Sequence, residues 1–129
     1  MNAAFPWAQL LAVSLGSALG GVLRWAVQGG VNARWSGFPL GTLVVNCVGG
    51  LLIGIALAWF ARSPNELLRL LLVTGFLGGL TTFSAFTGES LTLLQRGDVG
   101  WALAHSAAHL LGSLASCAIG FRIAKALLV

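Results

Sequence analysis

The stretch GFLGGLTTFSAFTGE, Gly75–Glu89, sits inside a long apolar tract yet carries four glycines, four hydroxyl side chains and three phenylalanines in fifteen residues. Glycines loosen a helix, hydroxyls donate hydrogen bonds and phenyl rings present a negative face and a positive edge. A doubled glycine at Gly78-Gly79 in mid-span predicts a break in the helix there, and a break frees backbone carbonyls. Irregular backbone at membrane depth is tolerated only where it is buried in protein or lines a cavity. Freed carbonyls can coordinate cations, as in discontinuous transporter helices. Beyond the break, Thr81, Thr82, Ser84 and Thr87 offer hydroxyl donors. Phe83 and Phe86, three apart, point to nearly the same side of a resumed helix, so two ring edges turned inward could meet an anion.

The surroundings of this stretch place it in a membrane. Of 129 residues, 57% are hydrophobic and 8% charged, against about 25% charged in soluble domains. Residues 1–23, 35–61, 70–88 and 99–121 contain no charge, and a spanning helix needs about 20 predominantly apolar residues. The pattern predicts an all-α, integral membrane protein forming one transmembrane domain over residues 1–129. Four transmembrane helices are expected at about 7–27, 40–61, 67–95 and 99–123, the third of them broken.

The first connection reads as a loop, QGGVNARWSGFP (residues 28–39), and Pro39 fits a helix start. Ser63 and Glu66 form a capping-box pattern with Pro64 at the first helical position. The Arg96-Gly97-Asp98 triplet reads as a turn between spans rather than an adhesion motif. Trp7, Trp25, Trp59 and Trp101 fall near span ends, with Trp35 in the first connection, as an aromatic belt requires. The first span lacks a basic leader region, against cleavage as a signal peptide. Cys47 and Cys117 lie within spans and read as small packing residues.

The net charge of +4 does not indicate nucleic acid, because the basic residues are scattered singly at span ends. With the N-terminus inside, Arg62, Arg69, Arg122 and Lys125 face Arg34, Arg96 and Arg24 across the membrane. Four against three is a weak bias, which permits insertion both ways up and an antiparallel dimer. No nucleotide-binding Walker motif is present, and no nucleophile–base pair suggests an enzyme.

Small residues recur four apart: Gly16 with Gly20, Gly50 with Gly54, Gly75 with Gly79, Ser116 with Gly120. Such pairs let helices approach closely. Asn46 lies mid-membrane with Thr42 one turn before it, and a buried amide must face protein or water. It serves either as an interhelical hydrogen bond or as a neutral donor toward an anion. His105, His109, Ser113, Ser116 and Gly120 share one face of the fourth span, as Gln9, Gly16, Gly20 and Arg24 do in the first. Two histidines at i and i+4 could bind a metal. No cysteine or carboxylate lies within reach along that helix, which favours a polar vestibule or an interhelical seam. Glu89 is an acid well inside the third span and must be paired, protonated or near water.

Together, GTLVVN (Gly41–Asn46), TGFLGGLTTFSAFTGE (Thr74–Glu89), GSALGGVLRW (Gly16–Trp25) and HLLGS (His109–Ser113) closely resemble the Fluc/CrcB family of small bacterial fluoride channels. The four matches fall in order in all four spans. The resemblance implies an antiparallel homodimer, embedded in membrane lipid, that builds two pores for passive fluoride efflux across the bacterial plasma membrane. It implies a structural sodium ion on the dimer axis, held by the backbone carbonyls of Gly78 and Thr81. It also implies that Phe83 and Phe86 line the path with Asn46 pointing toward them, and that Thr82, Ser84 and Ser113 supply hydroxyls. Arg24 matches the family's arginine at the end of the first span, and Glu89 its acidic residue after the motif. Ala85 and Thr87 depart from the family's pattern, as do His105 and His109, which stand where some members have hydroxyls.

Physically, fluoride must exchange tightly held water for close donors, and neutral amides, hydroxyls and ring edges can provide them without trapping the ion. A small multidrug transporter would need a carboxylate in its first span, where residues 1–23 contain none. A non-transporting scaffold subunit would gain nothing from so many costly mid-membrane groups.

Overall fold

A computed structural model describes residues 4–34 and 38–128. It contains four helical spans long and apolar enough to cross a membrane: Trp7–Asn32, Leu40–Arg62, Glu66–Gln95 and Val99–Leu127. The expected all-α, four-span architecture is present, with the third span broken. Trp35 and its immediate neighbours in the first connection lie outside the described residues.

The packing is inverted relative to a water-soluble bundle. Side chains fully withdrawn from the surface include His105, Thr42 and Val45, whereas Leu10, Leu11, Leu15 and Leu19 stand exposed. Lipid tails are as apolar as leucine, so helices gain nothing by hiding leucines and associate through close packing and polar contacts. Trp7, Trp25, Trp59 and Trp101 are all exposed near span ends, as an interfacial belt requires.

Close approach runs along two seams, first span against third and second against fourth. A β-carbon on Gly16 or Gly20 would strike the backbone of residues 71–80, and one on Gly54 would strike Cys117 and Phe121. The four-residue glycine spacing in the sequence is therefore the imprint of these seams.

Two boundaries differ from the sequence expectation for reasons that the side chains supply. The first helix continues through Asn32 rather than ending at Val27. Its extra turn is held because Asn32 Oδ1 accepts the Gly41 N–H at 3.0 Å and Gln28 Nε2 donates to Thr42 Oγ1 at 3.0 Å. The first of these bonds serves an N–H in the first turn of the second helix, which has no intrahelical partner. At the start of the third span the cap is Asn65, whose Oδ1 accepts from Leu68 N at 3.0 Å, not Ser63. Asn65 is the last residue in extended conformation, so its side chain reaches the orphan N–H groups. Glu66 instead pairs with Arg69 at 3.2 Å on the surface. The Arg96–Asp98 turn is as expected: Gly97 has φ +80°. Asp98 N and Gly97 N donate to the carbonyls of Leu93 and Leu94 at 2.9 and 3.0 Å, closing the helix with a glycine in the left-handed region.

The largest correction concerns the break in the third span. Gly78 and Gly79 remain helical, following an eight-residue π-helical run, Leu70–Leu77. The chain opens at Thr81 and Thr82 instead, with φ/ψ of −84°/157° and −153°/118°. Both are extended conformations open to any residue, so no glycine is needed there. Gly79 is used for packing: a β-carbon on it would meet the backbone of Ser17 and Gly21 on the first helix.

Candidate functional site

One side chain from outside the span holds Thr82 itself out of the helix. Asn46, on the second helix, accepts the Thr82 N–H on Oδ1 at 2.8 Å and donates from Nδ2 to the Thr82 carbonyl at 3.0 Å. The amide thus mimics a strand partner for a single residue. Thr82 then caps the resumed helix, Phe83–Gln95, accepting from Ala85 N on Oγ1 at 3.1 Å. In an unbroken helix the Thr82 and Ala85 N–H groups would serve the carbonyls of Gly78 and Thr81. Both donors are diverted, which frees those two carbonyls.

The Thr81 side chain folds back, donating to Leu77 O at 2.8 Å. Arg24 Nε donates to the Gly79 carbonyl at 3.0 Å, so Arg24 braces the upstream arm of the break from the first helix. Ser84 Oγ lies 3.2 Å from Thr82 Oγ1.

A cleft of about 780 Å³ opens beside the break. Of the residues singled out from sequence, Asn46, Gly78, Thr81, Thr82, Phe83, Phe86 and Ser113 line it, while Arg24, Ser84 and Glu89 do not. Phe83 is 77% exposed at the cleft, and its ring centroid lies 5.4 Å from that of Phe86. Phe86 turns inward, stacked on His105 (5.2 Å, 16°) and tilted against His109 (4.8 Å).

Behind Phe86 lies a polar cluster that the sequence showed only in parts. Glu89 accepts a hydrogen bond from the Thr42 hydroxyl on one oxygen and stands 3.1 Å from His105 Nε2 on the other. Ser90 Oγ is 2.9 Å from His105 Nδ1. His109 Nδ1 faces Asn46 Nδ2 at 3.1 Å. The two stripes, Thr42 with Asn46 and His105 with His109, each run one turn along their helices, and the third span brings Glu89 to both. The carboxylate missing from the fourth helix is therefore supplied by its neighbour. Ser90 and Ser106, the latter lining the cleft, were not anticipated; an isolated serine in an apolar run gives no spacing signal.

Chemically the site offers neutral donors, two uncapped carbonyls and aromatic rings, and its one carboxylate is held by Thr42 and faces His105. Such a set suits passage of a small ion rather than bond-making.

Comparison with known proteins agrees along nearly the whole length. The family description "CrcB-like protein, Camphor Resistance (CrcB)" matches residues 11–121. The chain is 48% identical over 116 residues to a protein of Pseudomonas aeruginosa named "Fluoride-specific ion channel FluC", covering 88% of this chain and 91% of the relative. It is 50% identical over 123 residues to a protein of the same name from Aromatoleum aromaticum, covering 94% of each. A third of that name, from Tolumonas auensis, is 50% identical over 113 residues, 86% of this chain and 89% of the relative. With matches that run through all four spans and include the broken one, the chain belongs to the CrcB family.

Proposed function

We propose that this protein is a fluoride channel of the bacterial plasma membrane, passing the ion passively down its electrochemical gradient. The observation that carries the reading is near full-length identity of 48–50% to proteins named fluoride-specific ion channels. Those relatives are named for transport, not for catalysis.

The site residues are assigned roles on that reading. Asn46 holds the break and keeps its amide at the path. Phe83 and Phe86 present ring edges to the anion, Thr82 and Ser113 replace lost water with hydroxyls, and Ser84 acts from outside the cleft through its contact with Thr82. Arg24 holds the upstream arm and lends positive field near the break. Glu89 anchors the second, third and fourth spans to one another through Thr42 and His105.

The functional unit in this proposal is an antiparallel homodimer. Phe83, 77% exposed, shares a largely apolar cleft with Asn46, Thr82 and His109, polar groups that lipid cannot satisfy, and a second copy would cover them. Gly78 and Thr81, whose carbonyls are freed, line the same cleft. Oxygen dipoles without donors fit a hard cation, so these two residues would hold a structural sodium ion. The ion would add to the positive field of Arg24 without a second basic side chain that could trap fluoride.

The test is ion-selective-electrode efflux from liposomes holding the purified protein, loaded with fluoride or with chloride. Rapid fluoride release with little chloride release is expected. Release of neither ion from folded protein would end the channel reading, and equal release of both would end the claim of selectivity.

A further inference from the structure

Glu89, His105 and His109 each bring a ligand-type atom within 4.8 Å of the others. Two imidazoles and a carboxylate are a common zinc donor set, but the hydrogen bonds around them point elsewhere. Asn46 cannot exchange its amide oxygen and nitrogen, because the Thr82 N–H must meet an oxygen and the Thr82 carbonyl must meet a donor. With Nδ2 so fixed, it donates toward His109 Nδ1, which must act as an acceptor. A neutral imidazole accepting at Nδ1 carries its proton on Nε2. That Nε2 is buried and has no hydrogen-bond partner among the described residues. Neither oxygen of Glu89 is bonded to it, since they meet Thr42 and His105.

We infer that Asn46 locks His109 as its Nε2–H tautomer, and that this buried N–H is a donor site for a small anion rather than a metal ligand. The anion's identity as fluoride rests on the channel reading above; the tautomer does not. A metal on Nε2 would require the proton on Nδ1, hydrogen against hydrogen with the Asn46 amide. Turning the amide over would sacrifice both bonds to Thr82, and the same conflict opposes the imidazolium. An unpaired buried N–H is costly, and a compact, strongly accepting anion relieves that cost. Because the imidazole is neutral, it holds the anion by a hydrogen bond and not by full charge, which keeps the stay short, as conduction requires.

The test uses the full chain, free of histidine tags, labelled with ¹⁵N at its two histidines and held in lipid bilayers. The His109→Gln variant assigns the signals by loss. The expected spectrum has His109 Nδ1 unprotonated and Nε2 protonated, with the Nε2–H resonance moving on addition of sodium fluoride but not of equimolar sodium chloride. A protonated Nδ1, an Nε2–H indifferent to fluoride, or zinc ions displacing the Nε2 proton would each overturn the inference. In efflux assays, His109→Phe keeps a ring but no donor and should slow fluoride release about tenfold or more. His109→Gln, which restores an N–H, should recover most of it. His109→Phe conducting like the wild type would overturn the donor role. Wild-type liposomes releasing no fluoride would count against the channel reading, while the nitrogen spectrum judges the tautomer independently.

Discussion

At the scale of single residues, Asn46 governs the most. Its amide makes both hydrogen bonds that hold Thr82 out of the helix, and the extended conformations of Thr81 and Thr82 need no special backbone. The break is thus a tethered state rather than a sterically enforced one. Asn46→Leu should let the Thr82 N–H return toward Gly78 and straighten the third span. Fluoride release should fall by about tenfold or more, since the two lost hydrogen bonds are worth about 1 kcal/mol each to the broken form. Helix content by circular dichroism should hold or rise slightly; wild-type release from this variant would show that the tether is dispensable. The sequence disclosed Asn46 because an amide in hydrocarbon is conspicuous. It could not disclose the Thr42–Glu89–His105 network, whose members come from three spans and meet only once the seams have formed.

At the scale of elements, local rules located the spans but misplaced details wherever a residue had two possible uses. Doubled glycine suits a break, and it equally suits a tight seam. Gly79 is spent on the second use, and the break moved to the threonines that Asn46 can reach. Gln28 and Asn32 looked like loop residues because they are polar. They are helical because each serves the start of the second helix. Two substitutions separate these uses. Gly79→Val drives a branched side chain into the Ser17–Gly21 backbone, so assembly of the first and third spans should lose about 1–3 kcal/mol or more, read as a lower unfolding midpoint in detergent titration. Gly29→Ala meets nothing within 4 Å and lies within the helix. It should raise that midpoint by about 0.5–1 kcal/mol, whereas a destabilised variant would contradict a helix through Asn32.

At the scale of the whole molecule, orientation becomes the testable property. Arg62, Arg69, Arg122 and Lys125 oppose Arg34, Arg96 and an Arg24 drawn in to the break, a weak bias that permits insertion either way up. Adding lysines beside Arg62 should fix one orientation and adding them beside Arg34 the other. On the antiparallel proposal, each variant alone should fail to release fluoride from vesicles and the two together should restore release. Full conduction by either alone would remove the antiparallel arrangement. Fold class and span number were legible from composition alone, because a membrane permits so few architectures. The antiparallel pairing proposed above is of another kind, because glycine spacing within one chain speaks only to seams inside it.

The outward-facing leucines carry a thermodynamic consequence. In a bilayer, separating these helices moves Leu10, Leu11, Leu15 or Leu19 from one hydrocarbon surrounding to another, not into water. The large positive heat capacity that accompanies unfolding of soluble domains comes from wetting apolar surface, and here that contribution nearly vanishes. Stability in lipid should therefore change almost linearly with temperature, without the dome that makes soluble proteins fail in the cold as well as in the heat.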